Sequence, residues 1–162
     1  MSREILIVPL TAGGFAPFGE VLETEGAPDK LINQGLCGRW HDRARLEFGE
    51  GRAGISLFRS ETRALPHALE MVERHPLGSQ AFLPMSYDPF LVIVAPDEGG
   101  SPGKPLAFRS TAGQGINIAR NTWHGVLTPL HAPGLFAVVD RIGEGANLEE
   151  HWFDTPWTVR DA

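Results

Sequence analysis

The sequence predicts an all-β domain, an antiparallel β-barrel or jelly roll with few short helices. Two observations carry that prediction. Nineteen glycines and thirteen prolines break the 162 residues at short intervals, which suits many short strands joined by turns. The segments between them are of strand length, apolar or alternating, and few show the 3.6-residue spacing of a helix. Sheets of this kind close into barrels or jelly rolls, which hold ligands among inward-facing side chains.

In chain order, the first strand is expected over 5–10, the run Ile5-Leu6-Ile7-Val8 closed by Pro9. Strand 19–23 follows Gly19 and centres on Val21, and strand 31–36 opens on Leu31-Ile32. Strand 40–48 is bounded by Trp40 and Phe48, and strand 53–59 carries Ile55 and Leu57 in alternation with Gly54 and Ser56. Strands 69–75 and 80–85 flank the turn Leu77-Gly78-Ser79. Strand 90–95, Phe-Leu-Val-Ile-Val-Ala, is apolar on both faces and is expected to be central and buried. The link 96–105, with Asp97-Glu98-Gly99-Gly100, is a solvated loop. Strands 106–109, 115–119, 125–129 and 135–142 complete the series. The tail holding Trp152, Phe153 and Trp157 is expected to be a packing strap or part of a subunit contact. No internal repeat or composition shift divides the chain, so residues 1–162 are expected to form a single domain.

Residues 66–73 admit two readings. Leu65, Ala68, Leu69 and Val72 have helical spacing, whereas a strand sets Leu69, Met71, Glu73 and His75 on one inward face.

Composition narrows the function classes. The net charge is −6, with acids and bases interspersed and lysines only at 30 and 104, so no basic tract exists to neutralise nucleic-acid phosphates. No apolar run approaches the roughly 20 residues that span a bilayer. The N-terminus lacks the features of a signal peptide. Cys37 is the only cysteine, which excludes an intrachain disulfide and a cysteine zinc cluster. The expectation is a cytoplasmic, soluble protein acting on a small molecule.

The candidate site starts at Glu73, His75 and Gln80. Period-2 alternation puts Glu73 and His75 on one strand face, and Gln80 opens the strand beyond the turn. A register shifted by one residue would bury Arg74 instead of Glu73. Trp123-His124 brings a second imidazole from the far half of the chain. Two imidazoles and a carboxylate suit Zn, Ni, Fe or Mn, and they equally suit acid–base catalysis without a metal. Gln80 could orient substrate or water. Arg59, Asn117, Arg120 and Arg141 are the candidates for binding substrate. Arg59 or Arg141 could clamp a carboxylate in bidentate fashion, although Asp140 and Arg141 could instead form a structural ion pair. Arg120 reaches either the site or the rim. No phosphate loop follows Gly113-Gln114-Gly115, and no Gly-x-Ser-x-Gly elbow exists.

The spacing around these residues resembles the cupins, whose first motif reads His-x-His and then Glu and whose second motif adds a lone His. Glu73 stands at the first His, His75 at the second, Gln80 at the Glu and His124 at the distant His. Glu73 to Pro84, Gly113 to Asn117, Arg120 to His124 and Val138 to Arg141 resemble the ureidoglycolate lyase family more closely still. Ile7 to Leu10, Phe15 to Val21, Ile32-Asn33 and His41-Asp42 fit the same pattern, so the resemblance covers nearly the whole chain. It implies a cupin-like barrel, and it favours the strand reading of residues 66–73. It implies cleavage of (S)-ureidoglycolate to glyoxylate and urea in purine catabolism. By resemblance Glu73, His75, His124 and Gln80 are catalytic, and the first three hold a divalent metal, with nickel expected. No organic cofactor is expected for a non-redox elimination, and a homodimer is expected. A cupin that binds a small hydroxy or keto acid without turnover is the alternative.

Overall fold

The computed structural model describes residues 2–162. Its elements in chain order are β1 (Glu4–Pro9), α1 (Ala12–Phe15), β2 (Gly19–Leu22), β3 (Lys30–Ile32), β4 (Cys37–Arg39), β5 (Arg52–Ser60), β6 (His67–Arg74), β7 (Gln80–Pro84) and β8 (Phe90–Ala95). They continue with β9 (Asp97–Glu98), β10 (Ser101–Pro102), β11 (Leu106–Arg109), β12 (Gly115–Ile118), β13 (Trp123–His124), β14 (Thr128–Pro129), β15 (Gly134–Ile142) and β16 (Glu149–Arg160).

Six strands close on themselves in the order β11-β1-β16-β6-β13-β8, because β8 also pairs with β11. Every strand of that ring points apolar side chains into its lumen: Ile5, Ile7, Leu69, Val72, Leu91, Ile93, Ala107, Trp123 and Val159 form one buried cluster. The second sheet, in the order β2-β12-β7-β15-β5, lies against the outside of the ring. Phe90, Val92 and Val94, the other face of β8, pack there against Phe82, Ile116, Ile118, Phe136 and Val138. Alternation along β8 thus feeds two cores, which is why this strand is apolar at every position and buried throughout.

The all-β, cupin-like barrel is the architecture expected. Its pairings are antiparallel except at β1, which runs parallel to both β11 and β16. Residues 67–74 are a strand and not a helix. One part of the face assignment is corrected. Leu69 joins Val72 in the lumen instead of sharing the face of Glu73. Residues three apart lie on one face only where alternation breaks, and the break coincides with a register shift between Trp152 and Trp157 on the neighbouring β16.

Other segments differ from expectation. Residues 40–48 form no strand. Side chains take their amides instead: Asp29 accepts from His41, Glu20 from Arg45 and the Ser79 hydroxyl from Glu47. The expected strands 31–36 and 125–129 shrink to β3 and β14, and the expected loop 96–105 contains the small β9–β10 hairpin. Residues 149–160 form the twelve-residue strand β16, with Pro156 inside the register break where no ladder partner is needed. No helix among the described residues is long and apolar enough to cross a membrane.

Candidate active site

β6 and β13 pair so that Glu73 lies directly opposite His124. Val94 flanks His124 on the other side, and Val94 faces the second sheet. Trp123 and Val72, one residue away on each strand, face the ring lumen. Alternation therefore sends Glu73 and His124 into the space between ring and second sheet, not into the lumen. Arg74 turns the other way, pairing with Asp97 at 2.9 Å and Glu149 at 2.6 Å. His75 follows β6 by one residue and comes to 5.0 Å from His124, centroid to centroid.

One ligand atom from each of Glu73, His75 and His124 lies within 4.8 Å of the other two. Both imidazoles are oriented by backbone carbonyls. Nδ1 of His75 contacts the Asn147 carbonyl oxygen and Nδ1 of His124 that of Gly125, both at 2.9 Å. A carbonyl only accepts, so each Nδ1 carries the proton and donates it. Each Nε2 is then left with a lone pair, and both Nε2 atoms are buried without a partner. A carbonyl behind Nδ1 and a free Nε2 in front is how metal-binding histidines are held. With a carboxylate completing the set, these residues fit a divalent metal ion.

Burial decides the protonation of the group. His124 is 2% exposed, and desolvation, helped by the charge of His75, lowers its pKa to about 4. It is therefore neutral near pH 7. Desolvation raises the pKa of Glu73, with His75 opposing and Glu150 adding to the rise.

Glu73 and His124 line a cleft of about 390 Å³ together with Gln80, Phe82, Phe58, Arg59 and Arg63. Gln80 lies on the same face of β7 as Phe82, and its Nε2 donates to Asp140 at 3.1 Å.

The comparisons with known proteins meet this geometry. A model of the ureidoglycolate lyase family matches residues 2–160. A protein of Rhodobacter capsulatus named ureidoglycolate lyase is 61% identical over 158 residues, covering 97% of this chain and 98% of its own. Ureidoglycolate lyase 2 of Rhizobium meliloti is 54% identical, covering 96% and 97%. A ureidoglycolate lyase of Chelativorans is 53% identical, covering 97% and 96%.

The chain belongs to the ureidoglycolate lyase family. It is accordingly an enzyme, a lyase.

Not every candidate residue reaches that cleft in this member of the ureidoglycolate lyase family. Arg59 does. Asn117 lies on the opposite face of β12 from Ile116 and Ile118, fully buried, with its Nδ2 donating to the Arg45 carbonyl at 3.0 Å. Arg120 donates to the Pro76 carbonyl at 2.8 Å and so braces the turn after His75. Arg141 donates to the carbonyls of Phe48 and Glu144, at 3.1 and 2.8 Å. It makes no ion pair with Asp140, whose carboxylate serves Gln80 instead. Three contributors were missed in the sequence. Arg63 sits in a coil and carries no strand parity. Asn147 lies in a loop far from His75 in sequence. Asp140 was legible, since it alternates with Val138 on the inner face.

Proposed function

We propose that this chain cleaves (S)-ureidoglycolate to glyoxylate and urea, a step of purine-nitrogen catabolism, in keeping with relatives named ureidoglycolate lyase. The observation that carries the reading is the convergence of one ligand atom each from Glu73, His75 and His124 within 4.8 Å beside an arginine-bearing cleft. The substrate bears a carboxylate, a hydroxyl and a ureido group on one carbon. As its C–N bond breaks, the O–H pair becomes the second bond of the aldehyde carbonyl and the C–N pair goes to nitrogen. One proton leaves the oxygen and one reaches the nitrogen, so a proton acceptor must face the hydroxyl and a proton donor the departing nitrogen.

Glu73 and the free imidazole nitrogens can take the hydroxyl proton, and the group that has taken it can return it to the departing nitrogen. Arg59 and Arg63 hold the carboxylate, and neither makes an ion pair within the described residues that would compete. Gln80 faces the ureido group. A divalent metal, nickel by family resemblance, would be held by Glu73 and the two Nε2 atoms and would acidify a chelated hydroxyl. We place the protein in the cytoplasm, consistent with its single unpaired cysteine.

The test is direct. Purified protein given (S)-ureidoglycolate should release glyoxylate and urea in equal amounts, and no release under any metal supplementation would overturn the reading. Metal analysis should find an ion that falls sharply in His75→Ala and His124→Ala. Full activity in demonstrably metal-free protein would remove the metal and leave acid–base catalysis.

The chain is also proposed to pair with a second copy through the outer face of the second sheet. Ile55 and Leu57 of β5 are 76% and 67% exposed. Leu57 lies in register with Ala137 and Leu83, so β5, β15 and β7 present one continuous apolar surface.

A further inference from the structure

Gln80 is 8% exposed, lines the cleft and has only one end of its amide satisfied. That end is the nitrogen, which donates to Asp140 Oδ2 at 3.1 Å. Asp140 lies directly across the ladder from Gln80, on the same face, so the contact is set by strand register. A carboxylate accepts and does not donate, so Asp140 dictates which end of the amide turns toward it. The oxygen is left over. Oε1 of Gln80 is buried and without a partner, and a buried acceptor in that state marks a place where a donor belongs.

We infer that Asp140 is a positioning residue that holds Gln80 Oε1 ready to accept from the terminal N–H₂ of a ureido group. The pair thereby selects ureido-bearing acids over acylamido acids of the same shape. The identity of the donor rests on the proposed function, whereas the orientation of the amide rests on Asp140 alone. In the substrate the carboxylate and the ureido carbonyl are acceptors, and they offer Gln80 Oε1 nothing. The hydroxyl and the ureido nitrogens donate; the hydroxyl proton is the one that the catalytic base removes, and of the two nitrogens only the terminal one is a donor that an acylamido acid lacks.

Two probes separate this role from a merely structural one. N-carbamoylglycine keeps the carboxylate and ureido group but lacks the hydroxyl, so it cannot eliminate. N-acetylglycine carries a methyl group in place of the terminal amine. Calorimetry on the purified protein should show roughly tenfold tighter binding of N-carbamoylglycine, the order of one hydrogen bond plus an unpaired acceptor. In Asp140→Asn the new amide can donate as well as accept, Gln80 can turn over, and the preference should shrink to about twofold or less. The exchange Q80E/D140N puts an acceptor back in the cleft and should restore the preference. Equal weakening of both probes, an unchanged ratio, or no preference in the starting protein overturns the inference. Loss of bound metal in Asp140→Asn would make Oε1 a metal ligand and overturn the ureido assignment. Ureidoglycolate turnover is measured alongside: a retained preference without turnover would sink the lyase proposal and leave this one standing.

Discussion

The two ring nitrogens of His124 have unequal surroundings, one tied to the Gly125 carbonyl and one buried and free. Charging this ring means placing a cation in a desolvated pocket beside His75, which is why its pKa falls to about 4. The consequence for stability has a definite sign. In the unfolded chain the ring titrates near its ordinary value of about 6.5. Between that pH and about 4 the unfolded state binds the proton more readily. The contribution of neutral His124 is therefore fully present above pH 6.5 and shrinks as pH falls toward 4, by roughly 3 kcal/mol at most. Glu73 works in the opposite sense, since its raised pKa costs stability as pH rises through the carboxylate range. Urea unfolding of metal-free protein at pH 7 and 4.5 should show the loss, and His124→Gln should flatten it. An equally steep slope in the variant would assign the effect elsewhere. For activity, His124→Ala and Glu73→Gln should each lower kcat/KM by about 100- to 10,000-fold, typical of an acid–base group, while the far-UV spectrum is unchanged. Near-normal turnover in both would remove these residues from the chemistry.

At the scale of elements, the turn between β6 and β7 depends on a distant loop. Asn147 accepts from the His75 ring through its carbonyl and from the Leu77 amide through Oδ1, at 2.9 and 2.8 Å. One residue thus fixes both the ring and the chain that carries it toward Gln80. Asn147→Ala leaves the Leu77 amide without its partner and should cost about 1–3 kcal/mol, a fall in Tm of several degrees. Asn147→Asp keeps an acceptor and should recover most of it, as thermal melts and kcat/KM would show together. The sequence made β6, β7, β8, β12 and β15 legible because their alternation is set by burial on one or two faces. It concealed 40–48, where Asp29, Glu20 and Ser79 outcompete a ladder for the backbone amides. It concealed β16, whose Pro156 argues against a strand until the break in register is seen. Within the site, Glu73, His75, Gln80 and His124 were readable from spacing. Asn117 was misplaced because its parity with Ile116 and Ile118, both core residues, sends it to the other face.

For the whole molecule, the apolar outer face of the second sheet should govern association. Light scattering at micromolar concentration is expected to give a dimer, and Leu57→Asp, which puts a charge at the centre of that face, a folded monomer. A monomeric starting protein would dispose of the assembly. The same sheet carries Arg59 at its edge strand, so a variant that separates the copies also tests whether the cleft depends on the pairing. The closed ring has a temporal consequence. Glu4 pairs with Thr158, 154 positions further along (158 − 4), and Val159 packs into the same cluster as Ile5 and Ile7. During synthesis Ile5 and Ile7 emerge long before β16, the wall they pack against. Neither β6 nor β1 can be sealed before β16 arrives, so the lumen is completed only after β16 has left the ribosome. Contacts of such separation also fold slowly, and until they form the edges of β1 and β6 stand open to other chains.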